Sequence, residues 1–148
     1  MDFNSSDVDL IKLREKSGIK DRIVILEQFT EFYKTKALND GVRYVKDPNS
    51  IIFTADLHMR FPGNIFDQCH TQAYWEMMGY GLFGGYKSDW DKFGGMDEVK
   101  FTTRWGGEDW DLMDRAICAN LEIERLRLPK FYHYFHERKS DWYENARL

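Results

Sequence analysis

Apolar positions along the chain fall into short, differently spaced groups, and each spacing implies an element. In SDVDLIKLREKSG, Val8, Leu10 and Ile11 form an apolar stripe behind Ser6, which can cap a helix that Gly18 can end. RIVILEQF, from Arg22 to Phe29, is an apolar run dense in β-branched residues and predicts a buried strand. Helix formers then run from about Thr30 to Val45, until Asp47-Pro48-Asn49-Ser50 stops them. IIFTAD, from Ile51 to Asp56, predicts a second buried strand. Strand, helix and strand in that order read as a parallel crossover, the unit of an α/β sheet, whose ligands sit at the carboxyl ends of the strands. Asp56-Leu57-His58 would then stand at the mouth of a site. Farther on, Trp110, Met113 and Ile117 recur at helical spacing, supplemented by Leu112 and Ala116, and predict an amphipathic helix that buries this face.

Composition narrows the choices. A chain of 148 residues fits one domain with one modest core. The net charge is -4, with lysines and arginines interleaved among the acids, which leaves no basic face for a phosphate backbone and excludes nucleic acid as a partner. No apolar run approaches the roughly 20 residues of a membrane span, and MDFNSSDVD has neither the positive flank nor the apolar stretch of a signal peptide. Cys69 and Cys118 fix no redox compartment, since two buried thiols and one bridge are equally compatible with the sequence. Aromatic residues make up 16% of the chain, and flat rings with polar edges suit sugar binding as well as large cores.

Candidate chemistry gathers in three places. Asp56 and His58 flank Leu57, so on an extended segment they share one side, and a carboxylate with an imidazole can hold a divalent cation; the alternative is a polar strand end. In PKFYHYFHERK, His133 and His136 point to opposite faces of a regular strand, and they share an ion only if a turn or bulge falls between them. His70 has no such company and reads as a surface residue. In RWGGEDWDLMDR, Gly106 and Gly107 remove Cβ atoms just before a helix and let a ligand or another backbone come close. Glu108, Asp109 and Asp111 then occupy its first turn, where the helix dipole favours negative charge. Capping explains the acids but not Trp105 and the paired glycines. A carboxylate beside an aromatic platform is what a transferase needs to deprotonate a sugar hydroxyl while stacking the ring.

The runs SIIFTADLH, YGLFGGYKSDWDKFGGMDE and RWGGEDWDLMDRAICANLEIERLRLPKFYHYFH together resemble the β-1,4-N-acetylgalactosaminyltransferases of glycosyltransferase family 7, relatives of the β-1,4-galactosyltransferases and chondroitin N-acetylgalactosaminyltransferases. The resemblance runs from about Ile23 to Asp141. It implies an α/β domain of the GT-A type, a Rossmann-like mixed sheet flanked by helices, binding a UDP-sugar and Mn²⁺. Residues 1–148 would form one partial catalytic domain, with about 22–70 the nucleotide-binding part and 75–141 the acceptor and catalytic part.

The family's site residues carry over by position. Asp56 would meet the nucleotide, and His58 would take the metal position, a departure from the D-x-D of the galactosyltransferases that D-x-H fills in other transferases. The later metal ligands fall on His133 and His136. Asp109 would be the base that takes the acceptor proton, Glu108 would position hydroxyls, and Trp105 would be the acceptor platform. Phe32 and Lys34 match the uridine and phosphate contacts, while Leu82, Gly84 and Gly85 of YGLFGG line the donor side. Leucine at 82 stands where the galactosyltransferases carry a tyrosine against the sugar's C2 side, which implies UDP-N-acetylgalactosamine as donor. The implied reaction is inverting transfer of N-acetylgalactosamine to a sugar 4-hydroxyl, with N-acetylglucosamine or glucuronic acid as terminus, in the Golgi lumen.

Two departures accompany the match. The family's first strand, with its Pro-Phe-Arg-type stretch, has no counterpart upstream of Arg22, nor has the membrane anchor, so the chain reads as the C-terminal part of a longer enzyme. Between Cys69 and Trp75 a family strand and loop are missing. The sheet is therefore expected to be incomplete. A catalytically impaired or non-catalytic transferase-like partner and a lectin-like sugar-binding module are the competing readings.

Overall fold

Phe83 meets Trp90 and Phe93 edge to face, and Trp90 and Phe93 meet at a tilt, with ring separations of 5.2 to 5.9 Å; the three form the centre around which the chain is organised. The computed structural model describes residues 2, 6–28, 33–55, 59–63, 65, 73–74, 83–102, 106–124 and 132–134. In chain order these form α1 (Leu10–Lys16), a 3₁₀ turn (Lys20–Arg22), α2 (Lys34–Tyr44), β1 (Ile51–Thr54), β2 (Met59–Arg60), β3 (Ala73–Tyr74), β4 (Phe83–Tyr86), α3 (Lys87–Phe93), α4 (Glu108–Cys118), β5 (Ile123–Glu124) and β6 (Tyr132–His133).

β1 and β4 pair antiparallel, with Ile52 opposite Gly85 and Thr54 opposite Phe83. On one side of this ribbon, α2, α3 and α4 contribute Val42, Trp90, Phe93, Leu112, Met113 and Ala116 to a single core with Ile52, Phe83 and Met96. Among the described residues there are two shorter pairs as well: β2 with β6, antiparallel, and β3 with β5, parallel.

Several expectations are corrected. Arg22–Phe29 is not a strand among the described residues. Lys20–Arg22 is a 3₁₀ turn, residues 23–26 have no regular structure, and a lone parallel bridge joins Glu27 to Asp2. Strand propensity expresses itself only where a partner supplies a ladder, and among the described residues a single bridge is all that pairs here. Among the described residues the parallel crossover therefore does not form, and β1 pairs with β4, later in the chain, in antiparallel sense. α1 begins at Leu10, because the Asp9 carboxylate accepts from the Lys12 N–H at 2.8 Å and Ser6 lies exposed outside the helix. No residue of α1 is buried, so its apolar stripe does not pack. α2 and β1 form in the expected stretches but are shorter: α2 starts at Lys34, after an extended Tyr33, rather than at about Thr30, and β1 ends at Thr54, with Ala55 outside the strand.

α4 starts at Glu108 as expected, but its buried face is rotated. Glu108, Leu112, Met113 and Ala116 are inside, whereas Trp110 is 48% and Ile117 53% exposed. Glu108, Leu112 and Ala116 are spaced four apart and form one line along the helix. A carboxylate heads that line, and its burial requires partners.

Between α3 and α4 the chain makes a tight return. Gly94 ends α3 in the left-handed region, and Gly95 follows at φ +66°. A Cβ on Gly95 would stand 2.5 Å from both Asn39 Oδ1 and Trp90 Nε1. The position accepts glycine alone, for conformation and for space. No described helix is long and apolar enough to cross a membrane.

Candidate active site

α2 holds the segment leading to α4 through a ladder of polar side chains. The Tyr33 hydroxyl donates to the Glu98 carbonyl, and Thr35 Oγ1 donates to the Phe101 carbonyl at 3.1 Å. Asn39 engages the Met96 peptide from both sides: Nδ2 donates to its carbonyl at 2.8 Å, and Oδ1 accepts from its N–H at 2.9 Å. Asn39 Nδ2 and Arg43 Nη2 also donate to Glu98 Oε1, at 2.8 and 2.7 Å. Thr35 and Asn39 are buried, one helical turn apart, and their polar atoms are satisfied by main chain, which makes burial tolerable.

This ladder sets the first residue of α2 against the first residues of α4. Lys34 Nζ donates to Glu108 Oε1 at 2.8 Å and to Asp109 Oδ1 at 3.3 Å. Glu108 is only 5% exposed, and its second oxygen, Oε2, accepts from the Gly106 N–H at 2.8 Å. Gly106 and Gly107 adopt φ +101° and +90°, which lets the chain turn so that the peptide N–H of Gly106 points back at the helix start. No side chain caps α4; Gly107 occupies that position, and its carbonyl accepts from the Asp111 N–H at 3.0 Å. Lys100 Nζ meets Asp111 Oδ1 at 2.5 Å. Three acids in one helical turn are thus balanced by the helix dipole and two lysines.

Nearby charges are tuned by their neighbours. The Asp97 carboxyl lies below its ordinary value, first because the Lys100 N–H donates to it, helped by the Val99 N–H and Arg115. Burial pushes Asp40 upward, but hydrogen bonds from Lys36 and Arg43 outweigh it and leave the carboxyl below its ordinary value. The Arg43 guanidinium is held above its ordinary value by Asp40 and Glu98.

The structure therefore brings Lys34, Glu108 and Asp109 together. Gly84 and Gly85 lie buried in β4, opposite Phe53 and Ile52 of β1, with the Phe83 ring 3.0 Å from where a Cβ on Gly85 would be. His133 is in β6, paired with Met59, the residue that follows His58 in the chain. Phe32, Asp56, His58, Leu82, Trp105 and His136, with Cys69 and His70, lie outside the described residues. Cys118 is an exposed free thiol at the end of α4. Among the described residues no group of three or more His, Cys, Asp or Glu side chains could hold a metal ion.

Sequence reasoning missed the Thr35–Asn39 ladder. Its signal was present: two short polar residues four apart on the helix face that also carries Val42.

Comparison with known proteins places this arrangement in context. The Glyco_transf_7C family, described as the N-terminal domain of galactosyltransferase, matches residues 62–137. Mouse N-acetyl-beta-glucosaminyl-glycoprotein 4-beta-N-acetylgalactosaminyltransferase 1 is 38% identical, over 99% of this chain and 16% of its own length. Human chondroitin sulfate N-acetylgalactosaminyltransferase 1 is 24% identical, over 74% of this chain and 28% of its own length. The chain thus spans well under a third of these curated relatives. Among solved structures, the catalytic domain of Drosophila beta1,4-galactosyltransferase 7, crystallised with xylobiose, matches at a TM-score of 0.55 and 15% identity, covering 94% of this chain and 73% of that one. The fold is that of a galactosyltransferase catalytic domain, the GT-A type expected from the sequence, with three two-stranded pairs among the described residues.

Proposed function

Because the chain belongs to the Glyco_transf_7C family, we propose that it carries the transfer chemistry of a glycan-building glycosyltransferase, moving N-acetylgalactosamine from UDP to the 4-hydroxyl of an acceptor sugar with inversion. The observation that carries this reading is the pair Glu108 and Asp109, gathered by Lys34 at a glycine-turned helix start. The names of the mouse and human relatives, both N-acetylgalactosaminyltransferases, support the donor, and the mouse name supports a β-N-acetylglucosaminyl acceptor.

In this reading Asp109, whose side chain is 22% exposed, takes the proton of the attacking hydroxyl. The hydroxyl oxygen forms a bond to the sugar's anomeric carbon as the bond from that carbon to the UDP oxygen breaks, and UDP leaves with the electron pair. Glu108 lies deeper and keeps Lys34 in place. Lys34 would also reach the donor phosphates, and Phe32 and Asp56 would be further nucleotide contacts. Leu82, with the Gly84–Gly85 backbone, would leave room for the donor's N-acetyl group, and Trp105 would stack on the acceptor. In this reading about 22–70 would be the nucleotide part and about 75–141 the catalytic part, and the hydrogen bond from Lys34 to Glu108 would link them.

His58, His133 and His136 would hold a Mn²⁺ ion, since imidazoles are competent ligands for it; the β2–β6 register, which sets His133 opposite the residue that follows His58 in the chain, supports this reading. When bound, the ion would offset negative charge on the departing diphosphate. The Golgi lumen is the proposed compartment.

The test uses UDP-N-acetylgalactosamine, Mn²⁺ and a β-N-acetylglucosaminide acceptor, with UDP release as readout. Asp109→Asn should retain donor binding and lose at least about a hundredfold in turnover. Unchanged turnover removes Asp109 from the base role. Sugar binding without any transfer in the wild-type chain points instead to a lectin-like module.

A further inference from the structure

Two pairs of adjacent residues, far apart in the sequence, grip the first turn of α4. Lys34, at the start of α2, donates to Glu108 and Asp109. Lys100, in the segment that α2 holds, donates to Asp111. Asp109 therefore stands between two pinned acids, Glu108 just before it and Asp111 just beyond Trp110. The next residue of each pair joins the two grips. Thr35 follows Lys34, Phe101 follows Lys100, and Thr35 Oγ1 donates to the Phe101 carbonyl at 3.1 Å. Phe101 in turn reaches the helix start: its ring lies 3.7 Å from where a Cβ on Gly107 would stand, an ordinary van der Waals distance. The Lys100 ammonium lies 5.1 Å from the centroid of the same ring, which holds it on the side of Asp111.

The surroundings of this pair give it a purpose beyond general packing. Thr35 is 1% and Phe101 7% exposed, yet the Phe101 ring stands apart from the described core cluster of Phe83, Trp90 and Leu112. It lies instead against a glycine at φ +90°. Glycine has wide conformational latitude, so the group packed against such a turn decides where the turn settles. The segment that carries Phe101 is itself braced. The Asp97 carboxylate accepts from the Val99 and Lys100 N–H groups at 3.0 and 2.8 Å, and the Asp97 carbonyl accepts from the Phe101 N–H at 3.2 Å. A hold on the Phe101 carbonyl is thus passed to its ring rather than dissipated in the loop.

We propose that Thr35 and Phe101 are positioning residues for the transfer reaction: the Thr35 hydroxyl fixes Phe101, and the Phe101 ring seats the Gly107 turn so that the Asp109 carboxylate is presented to the attacking hydroxyl. The inference rests on the transferase reading and deepens it. Both residues act through Asp109, so their loss slows the chemical step and leaves donor affinity in place.

The experiment uses the full 148-residue chain with UDP-N-acetylgalactosamine, Mn²⁺ and methyl β-N-acetylglucosaminide. Turnover is read from UDP release, donor Kd from a separate titration, and folding from circular dichroism and urea unfolding. Phe101→Leu should lower kcat about ten- to a hundredfold and Thr35→Val about tenfold, the cost of a misplaced reacting group, with the donor Kd within about twofold of wild type. Thr35→Ser keeps the hydroxyl and should restore turnover. The double variant Thr35→Val/Phe101→Leu should be no slower than Phe101→Leu alone, because Thr35 works through Phe101. Val42→Ala, a buried core change on the same helix, should lower the urea midpoint and leave kcat near wild type.

Wild-type kcat in either folded single variant, Thr35→Val or Phe101→Leu, overturns the proposal and leaves the transferase reading standing. A kcat loss in Val42→Ala as large as theirs, at a similar urea midpoint, reduces the pair to a structural role and also overturns it. A donor Kd that weakens in step with kcat places their effect on binding and does the same. Strictly multiplicative losses in the double variant refute the route from Thr35 through Phe101. If Phe101→Leu does not fold, Thr35→Val and its rescue by Thr35→Ser decide the matter. Absence of both donor binding and transfer in the folded wild type ends the transferase reading, and this inference falls with it.

Discussion

Replacing Lys34 by methionine isolates the charge at the centre of the site, because methionine keeps an unbranched stem of similar reach and removes only the ammonium. In the native arrangement the buried Glu108 carboxylate has two donors, Lys34 Nζ at 2.8 Å and the Gly106 N–H at 2.8 Å. Lys34→Met leaves it one. Breaking a buried ion pair by deleting one partner costs about 3–5 kcal/mol, and a single charged hydrogen bond contributes about 1.5–3 kcal/mol. Lys34 is 19% exposed, so water can reach the vacated position in part. The expected loss is therefore nearer the lower limit, about 2–3 kcal/mol. With a urea m-value of about 2 kcal/mol/M, the unfolding midpoint falls by roughly 1–1.5 M at unchanged slope. The double variant Lys34→Met/Glu108→Gln removes the stranded charge and should recover at least about 1 kcal/mol relative to additivity. A single variant within about 0.5 kcal/mol of wild type, or a strictly additive double, refutes the idea that Lys34 stabilises a buried carboxylate.

Other perturbations test the surroundings. Asn39→Ala strands the Met96 N–H and carbonyl in the interior and should cost about 2–4 kcal/mol by urea unfolding, whereas a neutral result would show that this peptide is solvated by another route. Gly95→Ala places a methyl 2.5 Å from Asn39 Oδ1 and Trp90 Nε1 at a left-handed φ; a loss of at least about 2 kcal/mol is expected, and a wild-type melting temperature contradicts the close packing. The folded-state carboxyl of Asp40 lies below its ordinary 3.8 because Lys36 and Arg43 outweigh burial, so its contribution is complete above that value and is lost as pH falls through the lowered one. Asp40→Asn should therefore flatten the acid limb of a melting-temperature profile, and an acid limb identical to wild type refutes the assignment.

Local pattern carried the reading of α2, β1 and the start of α4, because capping signals, a proline-led stop and dense β-branching are encoded within a few residues. It failed for Arg22–Phe29, whose apolar run requires a neighbouring strand that only the rest of the chain could supply. It also failed for the inward face of α4. Trp110 is the more hydrophobic residue by composition, yet Glu108 is buried, since its cation comes from Lys34, 74 positions away, and its second donor from the glycine turn. A pairing across that distance leaves no periodic trace. The WGGED run was legible as a glycine turn into an acidic helix start, and the structure adds that a lysine of α2 gathers its two leading acids.

The ladder from α2 grips the following segment mostly by its main chain: the peptide of Met96 and the carbonyls of Glu98 and Phe101. Such a grip is indifferent to many of the side chains it holds up. Val99, 88% exposed, and its surroundings can therefore drift in evolution or be randomised in a library while the helix start beyond them keeps its place. Tolerance to substitution should be high at Val99 and collapse at Thr35 and Asn39, so the variability of this surface loop is underwritten by two small polar residues inside the molecule.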